Sequence, residues 1–296
     1  MRANPLPAGF RWPDGIRAAA CFTFDVDAES GILEEHPEAA AWLDVMTHQA
    51  YGPRTGIPRL LRLFDRLAIK ATFFIPGYSA EQWPDVVATI RDAGHEIGHH
   101  GYLHEGAWSA PDEAAEEKRL LRGLDALQRV AGVRPVGYRA PSWQATYRLP
   151  GLLARHGFRY DSGLMDSDHP YRLATSAAPN SPSIIELPAH WSLDDWEPYN
   201  YLPGITGSGV ILNPRDVVDR WLLELQAMVD EGGLFMLTNH PFVSGRPSRA
   251  AELGRLIETA KAIDGLWIAT CGEVAEWVAT LPLTPVFHQP PILPGG

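Results

Sequence analysis

Apolar residues along this chain gather in short runs separated by longer stretches of helical period. Residues 17–26, RAAACFTFDV, form a nearly unbroken apolar run of the kind a parallel strand shows when both faces are covered. Across 57–67, Leu60, Leu61, Phe64 and Leu67 recur at helical spacing, with Pro58 in the first turn. A second strand is predicted over 71–75, ended by Pro76-Gly77, and then a helix over 83–93 with Pro84 at its start and Gly94 after its end. The pattern continues with a strand over 95–99, a long amphipathic helix over 112–130 before Gly132, a strand over 135–139 and a helix near 149–156. Residues 158–162 and 183–188 read as the fifth and sixth strands. Residues 214–231 read as a helix closed by Gly232-Gly233, 234–237 as the seventh strand, 248–263 as a helix and 266–269 as a short eighth strand.

Strands and helices alternating this regularly imply an α/β fold with a mostly parallel sheet. Seven or eight repeats in roughly 250 residues fit a closed or nearly closed barrel better than an open sheet. No break in composition marks a second domain, so residues 1–296 read as a single domain. Two segments stand outside the repeat, 28–55 after the first strand and 166–182 after the fifth, and long loops in such domains are often functional. Residues 281–296 are proline-rich and read as an extended arm, with a neighbouring subunit as the surface it would lie on.

Composition narrows the classes. Hydrophobic residues make up 45% and charged residues 21%, enough for a sizeable core. The net charge of -11 speaks against nucleic-acid binding and against an anionic membrane surface as partners. No run approaches ~18 apolar residues, so no transmembrane helix is expected. The N-terminal stretch lacks the apolar centre of a secretory signal, which makes a cytoplasmic protein the expectation. Cys21 and Cys271 each sit in or beside an apolar run and are expected as buried free thiols.

The chemistry gathers at the strand ends, where parallel α/β barrels carry their active sites. Asp25 and Asp27 close the first strand and, two residues apart, share a face. The third strand runs into His99, His100 and His104, the fourth into Arg139 and Ser142-Trp143. The sixth leads to His190-Trp191 and Asp194-Asp195-Trp196, and the seventh ends in Asn239-His240. Two close carboxylates repel unless a cation lies between them. Asp27 with His100 and His104 gives three N/O ligands and an open position, the pattern of a catalytic metal site.

Thr23-Phe24-Asp25-Val26-Asp27, His100-Gly-Tyr-Leu-His104, Arg139-Ala-Pro141, Asp194-Asp195-Trp196 and Asn239-His240-Pro241 follow one another in a recognisable order. Over about residues 17–280 the chain resembles the polysaccharide deacetylase family, carbohydrate esterase family 4. The resemblance implies a distorted (β/α)7-type barrel and one divalent metal ion, with zinc expected, that together hydrolyse N-acetyl groups on sugars. It implies Asp25 as catalytic base, Asp27, His100 and His104 as metal ligands, and Arg139 as the residue orienting the base. It also implies a backbone N–H near Ser142 in the oxyanion hole, His240 as general acid and Asp195 as its orienting partner.

Three positions depart from the family pattern: Gly101 replaces a hydroxyl residue, Ser142 an aromatic, and Val26 separates two aspartates that are often adjacent. The D-V-D form is more similar to an intracellular branch that includes peptidoglycan-deacetylase-like proteins, cyclic imide hydrolases and metal-free allantoinases. That branch is often homotetrameric, which makes a homo-oligomer the expectation, and its metal-free members lack the ligand set retained here. Trp143, Trp191 and Trp196 are expected as apolar substrate-binding walls, with Trp42, Met46 and Tyr51 of the 28–55 segment as a roof. The alternative is that these aromatics pack the core or a subunit interface. The leading expectation is removal of N-acetyl groups from an amino sugar. Opening of a small cyclic imide or ureide comes second, and a catalytically silent barrel that binds a sugar or a partner comes third.

Overall fold

A single curled sheet carries the strand ends. The computed structural model describes residues 6–293, so residues 1–5 and the last three of the proline-rich arm, 294–296, lie outside the described residues. The strands are β1 (Ala18–Asp25), β2 (Thr72–Ile75), β3 (Glu96–His99), β4 (Gly137–Tyr138), β5 (Tyr160–Asp161), β6 (Tyr171–Ala174), β7 (Ser183–Glu186), β8 (Leu234–Asn239) and β9 (Leu266–Ile268). Their order is β6-β7-β5-β4-β3-β2-β1-β8. Every pairing is parallel except β6 with β7. The sheet curls into a half-barrel, and helices cover its outer face. Among the described residues, no helix is long and apolar enough to cross a membrane.

β1 is the axis of the sheet. It pairs with β8 from Ala19 to Phe24, and it also pairs with β9 at Ala18–Ala20 and with β2 at Thr23–Asp25. All eight of its residues are buried. Strand alternation then sorts the side chains. Ala20, Phe22 and Phe24 join the outer core under the helices Ile57–Leu67, Pro214–Glu231 and Pro247–Lys261. Ala19 and Cys21 join the inner cluster with Phe74, Tyr160, Met236 and Cys271, and Thr23 and Asp25 continue that inward row to the rim. Both cysteines are buried free thiols.

Three expectations are corrected. Segment 166–182 is not a plain loop: it contains β6, whose residues pair antiparallel with β7, so the strands expected as sixth, seventh and eighth are β7, β8 and β9. Segment 28–55 is largely helical, with Ser30–Glu35, a 3-10 turn at Pro37–Ala41 and Leu43–Tyr51 running through a π turn into Ile57–Leu67. Gly52, Pro53 and Gly56 look like chain breakers, but the glycines serve close approach. A Cβ on Gly56 would lie 2.1 Å from the Pro241 carbonyl oxygen. The arm does not need a neighbour to rest on, because Val286 exchanges backbone hydrogen bonds with Arg172 and Ala174 along the free edge of β6. Helices Gly77–Gln82 and Cys271–Ala279 were not anticipated, although the second carries a capping box from Thr270 and Glu273 that the sequence displays.

The helix Glu113–Ala131 seats the His100–His104 turn. A Cβ on its Gly123 would lie 2.5 Å from the Gly101 carbonyl oxygen and 2.5 Å from His99 Nε2. Gly123→Ala is therefore expected to destabilise the fold by about 1–3 kcal/mol, measured by urea unfolding. An unchanged unfolding midpoint would show that the helix moves off the turn without cost.

Candidate active site

The inward-facing groups at the strand ends meet in one cavity of about 260 Å3. Asp25, Asp27, His100, His104, Ser142, Trp143, Trp191, Trp196 and His240 line it, with Arg139 and Asp195 fully buried behind. His99 is not among them. One residue before His100, it points outward, bonds the Leu120 carbonyl with Nε2 and is pushed down to about 3 by burial. His190 is exposed and caps a short turn through Ser192.

Asp27 sits between two imidazoles. Its Oδ1 is 3.5 Å from His100 Nε2 and its Oδ2 is 3.6 Å from His104 Nε2. Ser30 and Ser79 donate their hydroxyls to its carbonyl and fix its backbone. His100 Nδ1 lies 2.8 Å from the Arg139 carbonyl, which can only accept, so Nδ1 carries the proton and the Nε2 lone pair faces Asp27. Asp27 Oδ1 is buried and has no hydrogen-bond partner. One donor atom each from Asp27, His100 and His104 lie within 4.8 Å of one another. An unsatisfied carboxylate oxygen facing an imidazole lone pair fits a divalent cation. The second acid–imidazole group, Asp194, Asp195 and His240, fits one less well, because His240 Nδ1 is already bonded to Asp195 at 2.7 Å.

Asp25 is held from the other side. Arg139 Nη1 donates to Asp25 Oδ1 at 2.9 Å and to Thr23 Oγ1 at 2.8 Å. Its Nε and Nη2 donate to the carbonyl and hydroxyl of Ser162, and its guanidinium lies over the Phe74 ring. Asp25 Oδ2 remains toward the site, 3.8 Å from His100 Nε2. Thr23 and Ser162 were not singled out from the sequence. Thr23 was legible in principle, two residues before Asp25 and so on the same face.

His240 is built around a proton. Asp195 accepts from its ring and its backbone N–H, and Ser244 also donates to Asp195. Burial works against a charged ring, but Asp195, with Asp194 and Asp27, outweighs it and holds His240 well above the usual imidazole range. Burial raises Asp194 well above the ordinary carboxylate range, with His240 opposing.

The walls only partly match expectation. Trp143 lines the cavity and also belongs to the inner core, and its indole Nε1 is buried without a partner. Trp191 is half exposed and meets Trp143 edge-on at 4.7 Å, while Trp196 packs on His240 and Phe242. Trp42, Met46 and Tyr51 do not line the cavity; Gly31, Ile32 and Glu35 of that segment do. Aromatic content gave no direction: Met46 packs on a small cluster with Ile32 and Leu202, and Tyr51 stacks under Arg246. Glu197, Ile205 and Thr206 complete the wall from a segment without a periodic pattern. Ser142 and Trp143 both have φ of 52° and His104 has 65°, so left-handed backbone clusters at the rim.

A family model for polysaccharide deacetylases matches residues 49–160. The peptidoglycan deacetylase of Helicobacter pylori is 32% identical over 279 residues, covering 85% of this chain and 93% of its own. The chain belongs to the polysaccharide deacetylase family. A solved "putative polysaccharide deacetylase" from Mycobacterium smegmatis is 50% identical, with a TM-score of 0.93 over 96% of this chain and 98% of that one. The structure of PuuE allantoinase is 26% identical with a TM-score of 0.77, covering 92% and 94%. As a family member, the protein is a hydrolase of carbon–nitrogen amide bonds.

In this deacetylase-family site, the raised pKa of His240 keeps its ring protonated through neutral pH, and the charge is lost only as pH rises through the folded value. Asp195→Asn removes the largest raising influence. Imidazole nitrogen shifts in metal-free protein should therefore show a charged His240 at pH 7 in the wild type and a clearly lower titration midpoint in the variant. Equal midpoints would remove Asp195 as the cause.

Proposed function

We propose that the protein is a divalent-metal-dependent deacetylase that removes N-acetyl groups from an amino-sugar substrate, with zinc as the ion. The unpartnered Asp27 Oδ1 between His100 and His104 carries this reading. Asp27, His100 and His104 would hold the ion, which when bound supplies a Lewis acid and a more acidic water. The likeness to the Helicobacter pylori peptidoglycan deacetylase supports an acetylated glycan as the substrate class.

The chain's own residues then divide the proton work. Arg139 occupies Asp25 Oδ1 and leaves Oδ2 to take a proton from the attacking water. The Ser142 N–H has no acceptor among the described residues, whereas those of Trp143 and Gln144 are spent on Ala140 and Pro141. It is the donor for the developing oxyanion. The Trp143 indole N–H is a second free donor in the wall, suited to a sugar hydroxyl or carbonyl. His240, charged and oriented by Asp195, delivers the Nε2 proton to the leaving amine.

A cyclic ureide is the second reading. The likeness to PuuE allantoinase and the small cavity of about 260 Å3 favour it. A parallel screen of an N-acetylglucosamine oligomer, succinimide and hydantoin separates the readings by which probe is hydrolysed. His104→Ala is expected to lose both metal and activity. Asp25→Asn should keep the metal and lose about 10²–10⁴ in kcat. Loss of the metal in Asp25→Asn would mean that the two aspartates have exchanged roles.

A further inference from the structure

Behind Arg139, outside the catalytic cavity, two carboxyl groups are buried together. Asp161 closes β5 and Glu186 closes β7, with register partners Asp161 and Glu186 directly opposite. Both are essentially without solvent exposure. Asp161 Oδ1 and Glu186 Oε2 are buried without a hydrogen-bond partner among the described residues. Burial pushes Asp161 up to about 7 and Glu186 well above the ordinary carboxylate range.

The other carboxylate oxygen of Glu186 has a definite task. Oε1 accepts the N–H groups of Gly163 at 3.0 Å and Leu164 at 2.9 Å. These follow Ser162, the residue whose carbonyl and hydroxyl take the Nε and Nη2 donors of Arg139. Arg139 in turn holds Asp25. Buried carboxyls are costly, and hydrophobic residues would fill this place if packing were the whole requirement.

We propose that Glu186 is a positioning residue for the reaction: it folds the Ser162–Leu164 turn so that Ser162 grips Arg139 and Arg139 aims Asp25. This rests on the reading of Asp25 as the base. Neither acid touches the cavity or the three proposed metal ligands.

The test compares the full-length wild type with Glu186→Gln, Glu186→Ala and Ser162→Ala. One readout is independent of turnover: hydrogen exchange of the Gly163 and Leu164 amides and of the Arg139 Nε–H, followed by NMR. Gln keeps an acceptor for both amides, so it should exchange like the wild type. Glu186→Ala should exchange at least about tenfold faster at all three sites. With metal loaded, on whichever probe the wild type hydrolyses, Glu186→Ala should retain its metal and its KM while kcat falls about tenfold or more. Glu186→Gln should restore most of that loss. Unchanged Arg139 Nε–H exchange in Glu186→Ala overturns the proposal, as does an unchanged kcat. If Glu186→Ala does not fold, Ser162→Ala decides: a lower kcat at constant metal content supports the grip on Arg139, and a wild-type kcat overturns it. A wild type that hydrolyses no probe would instead count against the amide-hydrolysis reading, while the exchange data would still decide the structural half of the proposal.

Discussion

The site depends on one buried guanidinium. Arg139 is without solvent exposure, yet each of its donor groups finds an acceptor: Ser162 carbonyl and hydroxyl, Thr23 hydroxyl, and Asp25. A buried charge is tolerable only when paired and fully hydrogen-bonded, and losing one partner of such a pair costs about 3–5 kcal/mol. Arginine suits the place because its planar fork reaches several acceptors at fixed angles, which lysine cannot do. The same residue works through its backbone, since its carbonyl fixes the tautomer of His100. One side chain and one carbonyl thus bring β1, β3, β4 and β5 into agreement about where the proposed base and the proposed ligand stand.

The two halves of the mouth receive opposite electrostatic partners. The acid Asp25 is given a guanidinium, and the imidazole His240 is given carboxylates. Asp27 stands between them, 3.6 Å from His240 Nε2 and 3.6 Å from His104 Nε2. His104, Ser142 and Trp143 hold left-handed backbone at the rim of the same cavity, a conformation that costs a non-glycine residue about 1–3 kcal/mol.

Much of this was legible because a parallel strand announces itself twice, by its apolar run and by the polar residue that interrupts it. Asp25, Asp27, His100, Arg139 and His240 all stand at such interruptions, and the structure gathers them. Period-two alternation also separates His100 from His99, one facing the lumen and the other the helix Glu113–Ala131. What escaped was information that lives only in contacts. Gly52 and Gly56 look like loop residues until Phe242 and Pro241 are seen against them. Trp42 and Tyr51 look like a lid, yet their segment turns Gly31, Ile32 and Glu35 inward instead. β6 carries no strong alternation and exists because β7 offers it an edge.

The position of β1 has a consequence for how the chain reaches this state. The strand that ends in Asp25 and leads into Asp27 is the first of the sheet to be synthesised, but its long pairing is with β8, more than 200 residues later, and β9 later still. Until those segments are made, a run of eight apolar-rich residues has no permanent neighbour on that edge. Pairings so distant in sequence slow folding, and a waiting hydrophobic strand is open to wrong partners. The architecture therefore ties completion of the strand-end cavity to nearly the whole of synthesis, and places the risk of aggregation on the strand that leads into it.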